Sequence, residues 1–150
     1  MDDADRRILR AIQQNPDLTM RELGDVTGLS HTPCWRRLQR MKAEGIIGEK
    51  RYILNPETLG FDINVICFAR MKEHSRGHLE EFETAVRNIP QVLQCYSVTG
   101  EYDFVLRVLA HSMRHYEETV KNALVRLPHV ATLNTSVSLR EVKNTPDLPI

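Results

Sequence analysis

Residues 18–40 read LTMRELGDVTGLSHTPCWRRLQR, and the order of caps, glycines and arginines in that stretch decides how the first third of the chain folds. Thr19 has the position of a helix N-cap, Glu22 that of its capping-box partner, and Leu18 and Leu23 those of a hydrophobic staple. A short helix therefore runs to about Thr27. Gly28 then supplies a turn position that tolerates positive φ, Ser30 stands where the next helix is capped, and Pro33 falls in its first turn, where a missing N–H costs little. Two short helices joined by a glycine-containing turn have the spacing of a helix-turn-helix.

Upstream, DDADRRILRAIQQNPD (residues 2–17) places Ile8, Leu9 and Ile12 on one helical face and ends at Asn15-Pro16, because the residue before proline is pushed out of the helical region. On the helix after Ser30, Cys34, Leu38 and Met41 recur at i, i+4 and i+7 and form the packed stripe. The opposite face carries Thr32, Arg36, Gln39 and Arg40, with Trp35 and Arg37 on its flanks and His31 in the first turn. Arginine can fork onto guanine and glutamine onto adenine in a major groove while further arginines hold phosphates. Beyond Gly45, IIGEKRYIL (residues 46–54) reads as two short strands around Gly48-Glu49-Lys50, a basic wing bearing Lys50 and Arg51. Residues 30–51 contain six basic and two acidic side chains, so a chain of zero net charge has a locally positive surface, and double-stranded DNA is the partner that fits it.

The remaining sequence changes period. LNPETLGFD (residues 54–62) reads as a linker. Residues 64–71 and 92–98 are strand candidates separated by a helical stripe of Leu79, Phe82, Val86 and Ile89. The same order then recurs, with strands over residues 102–109 and 130–142 around a stripe of Met113, Tyr116, Val120, Ala123 and Leu127. NIPQV at 88–92 returns as RLPHV at 126–130, each marking a helix end, a proline stop and a strand start. Strand-helix-strand twice is a split βαβ, ferredoxin-like unit, with both helices on one face of an antiparallel sheet. Val65, Cys67 and Ala69 alternate with Ile66 and Phe68, so the first strand is apolar on both sides and the open face calls for a second chain. The expected fold class is α+β: a winged helix-turn-helix over residues 1–53, a linker over 54–63 and a ferredoxin-like βαββαβ domain over 64–150.

Several function classes recede. No apolar run approaches the roughly 18 residues of a membrane span, and the acidic start MDDADRR is unlike a signal peptide, so a cytoplasmic protein without membrane partners is expected. Cys34, Cys67 and Cys95 contain no CxxC pair and read as buried thiols. The HxxxH pairs His74/His78 and His111/His115 invite a metal-sensing reading, but Gly77 interrupts the first and the Ser112 cap separates the second, so no metal is expected. Cys95 lies mid-strand in an apolar run, where a thiol is inert, and no phosphate-cradling or paired-carboxylate motif is present; neither an enzyme nor a cofactor is expected.

The chain resembles the Lrp/AsnC, or feast/famine, family of transcription regulators. The resemblance rests on DRRILRAIQQNPDLTMRELGDVTGLSHTPCWRRLQRMKAEGII, on NPETLGF, on VTGEYDFVLRV and on SLREVK, and spans nearly the whole sequence. It implies a winged helix-turn-helix reading DNA through the positions of Ser30 to Arg40, and a regulatory domain that dimerises through its sheet and assembles to octamers. It also implies an amino-acid effector bound where dimers meet, near Gly100, Glu101, Tyr102 and Asp103. His31 departs from the small residue expected after the cap.

Chemistry supports that loop independently, since a carboxylate holds an ammonium and neighbouring backbone N–H groups hold a carboxylate, which suits a zwitterion. Thr135 and Ser136, polar amid apolar neighbours in the last strand, are expected to line the same pocket or to face water. Two plain alternatives stand beside this: Gly100 serves a hairpin turn, and Asp103 pairs with Arg107 four residues along its strand. An architectural DNA binder with no effector response is the rival function.

Overall fold

The computed structural model describes residues 1–150, the side chain of Thr119 excepted. It forms two compact units, one of Met1–Ile53 with Lys143–Ile150 and one of Leu54–Val142.

The first unit holds α1 (Asp3–Gln14), α2 (Met20–Thr27) and α3 (His31–Ala43). Both expected starts are built from side chains. Asp2 caps α1 in a box with Asp5, and Thr19 caps α2, its hydroxyl accepting the Glu22 N–H while the Glu22 carboxylate accepts the Thr19 N–H at 2.8 Å. Gly28, at φ 68°, closes α2. Gly24 permits the following turn, because a Cβ there would lie 2.7 Å from the Leu29 carbonyl oxygen. Ile8, Leu9, Leu23, Cys34 and Met41 are buried together, with Leu38 and Ile47 packed alongside; each such large side chain withdrawn from water contributes about 2 kcal/mol.

Three expectations for this unit need correction. Ser30 has the backbone of an N-cap, yet its hydroxyl makes no capping bond, because the position that would donate is Pro33 and has no N–H. Residues 46–54 form no strands, so the wing is irregular chain; Tyr52 and Ile53 are 92% and 81% exposed, and an isolated pair of short strands is marginal without a packed face. Residues 143–150 do not belong with the ferredoxin-like unit but return to the first one. There Ile150 joins its apolar cluster, and Gln13 accepts from the Leu148 N–H and donates to the Leu148 carbonyl at 2.9 and 3.1 Å.

The second unit runs β1 (Ile63–Met71), α4 (Arg76–Arg87), β2 (Val92–Ser97), β3 (Phe104–Ala110), α5 (Met113–His115), a π-helical stretch (Tyr116–Val120), α6 (Lys121–Val125) and β4 (Val130–Val137). The sheet order is β2-β3-β1-β4 with antiparallel neighbours, the split βαβ arrangement. Val65, Cys67, Ala69 and Met71 face the helices and share one core with Phe82, Val86, Leu106, Tyr116, Val120 and Leu124. The second helical segment differs from an ideal stripe. Among the described residues its buried side chains are Tyr116, Val120 and Leu124, with Leu127 buried in the turn after α6, and the wider π turn absorbs the drift that two successive steps of four would cause in a regular α-helix. The last strand stops at Val137, not at residue 142: Val137 pairs with Val65, Ser138 donates to Asn64, and β1 offers almost nothing beyond.

Candidate functional site

The polar face of α3 is organised from beneath by a carboxylate. Asp5 is 1% exposed and accepts the Asp2 N–H, Arg37 Nη1 at 2.8 Å and Arg40 Nη2 at 2.6 Å, while Arg37 also reaches Asp2 at 2.7 Å. Burial pushes the Asp5 carboxyl up, but the Asp2 N–H and the two guanidinium groups outweigh it and hold the carboxyl far below the ordinary range. Arg37 is thus a clasp between α1 and α3, turned away from the outer face. Arg40 is half-exposed, tied to Asp5 on one edge and 3.7 Å from Glu44 on another.

The rest of the face is free. Ser30, His31, Thr32, Trp35, Arg36 and Gln39 are exposed, and among the described residues their side chains make no hydrogen bond or ion pair. Lys50 pairs with Asp17 and Arg51 with Glu49, so the irregular segment after α3 carries its positive charges already partnered. Surface pairs of this kind are weak enough for a phosphate to exchange into.

The second cluster surrounds the β2–β3 connection, residues 98–103, where Gly100 takes φ 120° and the Val98 N–H meets the Asp103 carbonyl at 2.9 Å. Asp103 does not pair with Arg107. Its carboxylate accepts the Met71 N–H and His74 Nε2, both at 2.7 Å, and the Met71 N–H, opposed by burial and helped by His74, holds the carboxyl below its usual range. Arg107 turns along the open face to Glu141 at 3.0 Å and Asn64 at 3.3 Å, because four residues of extended strand, roughly 13 Å, separate its backbone from that of Asp103.

Glu101 offers its carbonyl and its carboxylate to Arg70 at 3.0 and 3.3 Å. Tyr102 packs on Phe68 with ring centroids 5.3 Å apart, lies 5.8 Å from the Arg70 guanidinium and receives Asn134 Nδ2 on its hydroxyl at 2.8 Å. Thr135 is not brought to this cluster: it lies opposite Cys67, on the helix side of the sheet, whereas Ser136 lies opposite Ile66 on the open side with Asn134. Arg70, His74 and Asn134 are the polar members that sequence reading did not single out. Only the HxxxH spacing drew attention to His74, and for another chemistry.

Burial pushes the Cys67 thiol up to about 11 and raises Cys34 and the half-buried Cys95 as well. Of the HxxxH pairs, His74 precedes α4 and engages Asp103, while His78 stacks on His129 with centroids 3.8 Å apart. His111 stacks on Phe61 and bonds the Gly60 carbonyl. No helix among the described residues is long and apolar enough to cross a membrane.

Comparison with known proteins matches both units. Residues 1–47 fit a winged helix-turn-helix DNA-binding model and residues 64–148 the Lrp/AsnC ligand binding domain. The chain is 32% identical over 150 residues to the DNA-binding transcriptional activator DecR of Escherichia coli K12, covering 100% of this chain and 99% of that one. It is 35% identical over 150 residues to the proline dehydrogenase transcriptional activator of Rhodobacter capsulatus, covering 99% and 97% of the two chains. Among solved structures, a Neisseria meningitidis transcriptional regulator in complex with L-methionine superposes with a TM-score of 0.92 at 31% identity, covering 99% of this chain and 96% of that one. With a helix-turn-helix unit, a βαββαβ unit and relatives matched over nearly their whole length, this chain belongs to the Lrp/AsnC family of transcriptional regulators.

Proposed function

We propose that the chain regulates transcription by laying α3 in the major groove of operator DNA, and that an amino acid bound beside Asp103 modulates this through the assembly of the βαββαβ units. The observation that carries the DNA part is the division of labour on α3. Asp5 immobilises Arg37 and one edge of Arg40, leaving Thr32, Arg36 and Gln39 unengaged on the outer face. A helix so held loses little further freedom on docking, and its free donors match base edges while Ser30, His31, Lys50 and Arg51 stand where phosphates run. Arg36→Ala is expected to weaken operator binding with dimerisation intact, and affinity to fall steeply with salt. Retained binding in Arg36→Ala would remove α3 from the interface.

For the effector, the loop supplies a partly exposed carboxylate, a guanidinium at Arg70 and an aromatic wall at Tyr102, the groups that an α-amino acid zwitterion needs. Gly100 and Glu101 shape the turn, and Ser136 lies farther along the open face. Calorimetry with a panel of amino acids, repeated on Asp103→Ala, tests this site; unchanged binding by the variant would move it elsewhere. DNA footprinting with and without the bound amino acid separates a regulator from an architectural binder. The open sheet face exposes Phe68 and Val105 in part and Tyr96 by more than half, and a second copy of this chain covers it, giving the two-fold symmetry that helix-turn-helix proteins match to paired half-sites. Further assembly of dimers toward octamers brings the Asp103 loops to the contacts between them. Sedimentation equilibrium of Tyr96→Glu, expected to yield monomer, tests the sheet contact.

A further inference from the structure

We propose that in the ligand-free chain the His74 imidazole occupies the place an effector's ammonium takes on Asp103, so that effector and imidazole compete for one carboxylate. This rests on the effector reading of the loop. The two oxygens of Asp103 are held differently. Oδ2 accepts the Met71 N–H, a backbone bond at the end of β1 that fixes the carboxylate in place. Oδ1 accepts His74 Nε2 at 2.7 Å, from a side chain 67% exposed on the β1–α4 connection, while Asp103 itself is 23% exposed. The first bond orients an acceptor, and the second fills it with a group that can leave into water. A spacing of 2.7 Å is also what an ammonium nitrogen adopts on a carboxylate oxygen. Arg70, about half exposed beside Tyr102 and bonded to Glu101, is the cation on hand for the carboxylate of the same ligand. The class of ligand is therefore a free α-amino acid, and an amide or N-acylated analogue lacks one of the two handles.

The direction of the proton effect follows. An imidazolium binds Asp103 more tightly than a neutral imidazole does, and an arriving ammonium both expels His74 and adds a positive charge nearby. Effector affinity is therefore lower where His74 is an imidazolium than where it is neutral. Other titratable groups crowd the same connection. Glu73 lies 3.4 Å from His78, His78 stacks on His129, and His129 meets Glu81 at 2.7 Å. His129 itself adopts φ 61° and accepts the Lys72 N–H through its carbonyl. Among the described residues His74 is the one titratable side chain bonded to the carboxylate in question, so a single substitution isolates it.

The test is calorimetry on the full chain with the twenty common amino acids, L-methionine first, at about pH 5.5 and about pH 7.5, in buffers of differing protonation enthalpy, for wild type, His74→Gln and Asp103→Asn. In wild type, affinity rises on the order of fivefold between the two pH values, with proton release on binding at the lower one. His74→Gln binds without that dependence, and Asp103→Asn loses binding at both. A wild type with flat affinity, or a His74→Gln that keeps the wild-type pH dependence, overturns the competition while leaving the effector site standing. Failure of every amino acid to bind wild type at either pH overturns both the competition and the effector reading on which it rests.

Discussion

Asp5 and Asp103 are both carboxylates held below their ordinary range, yet they serve opposite ends. Asp5 is buried and takes two guanidinium groups from α3; Asp103 is partly open and takes one backbone N–H and one exposed imidazole. A buried acid clamped by arginines cannot exchange its partners without unfolding what surrounds it. An acid at the surface, with one fixed and one removable partner, can. Permanence suits the proposed reading helix, which would meet DNA in a fixed pose, and exchange is what the proposed effector site requires.

The contrast predicts effects of very different size. Asp5→Asn leaves two arginines without their shared charge and is expected to destabilise the helix unit by about 3 kcal/mol, read as a lowered thermal midpoint with DNA binding lost alongside. Arg36→Ala touches neither carboxylate and should weaken operator binding by about 2 kcal/mol with melting unchanged, so a large loss of stability would break the distinction between clasp and reader. Asp103→Ala removes only partly exposed contacts; its stability cost should be about 1 kcal/mol while amino-acid binding disappears. Both acids stabilise the fold while ionised, because their folded values lie below the unfolded one. That stability is fully present above the ordinary aspartate value of 3.8 and is lost as pH falls below it. Acid titration of the two variants by circular dichroism should show Asp5→Asn losing the larger share of this acid dependence. Smallest of all, Lys50→Ala should leave the thermal midpoint unchanged within the precision of the melt, since its pair with Asp17 is exposed.

Sequence conveyed the features that depend on near neighbours. The Thr19–Glu22 box spans three residues, the Gly28 turn one, and the return of NIPQV as RLPHV placed both helix ends and both strand starts, at Val92 and Val130. What it did not convey depends on partners far along the chain. Asp5 meets Arg37 and Arg40 across more than thirty residues, and Asp103 meets His74 across twenty-nine, so an arginine that looks free in a helical projection is committed, and a carboxylate assigned to Arg107 is held elsewhere. The end of β4 was illegible for a similar reason: residues 138–142 have a strand-like composition, and only the short reach of β1 denies them a partner. The wing failed differently. Its residues suit strands, but only Ile47 is packed against the helix cluster while Tyr52 and Ile53 stay exposed, so the segment lacks the buried face that a strand pair needs.

The return of residues 143–150 to the helix unit has a consequence for how the protein is made. A chain leaving the ribosome exposes α1 to α3 first, but the segment carrying Leu148 and Ile150, which docks on Gln13 and the apolar cluster, follows only after the whole sheet unit has been synthesised. In order of synthesis the helix unit is therefore begun before the sheet unit and completed only after it.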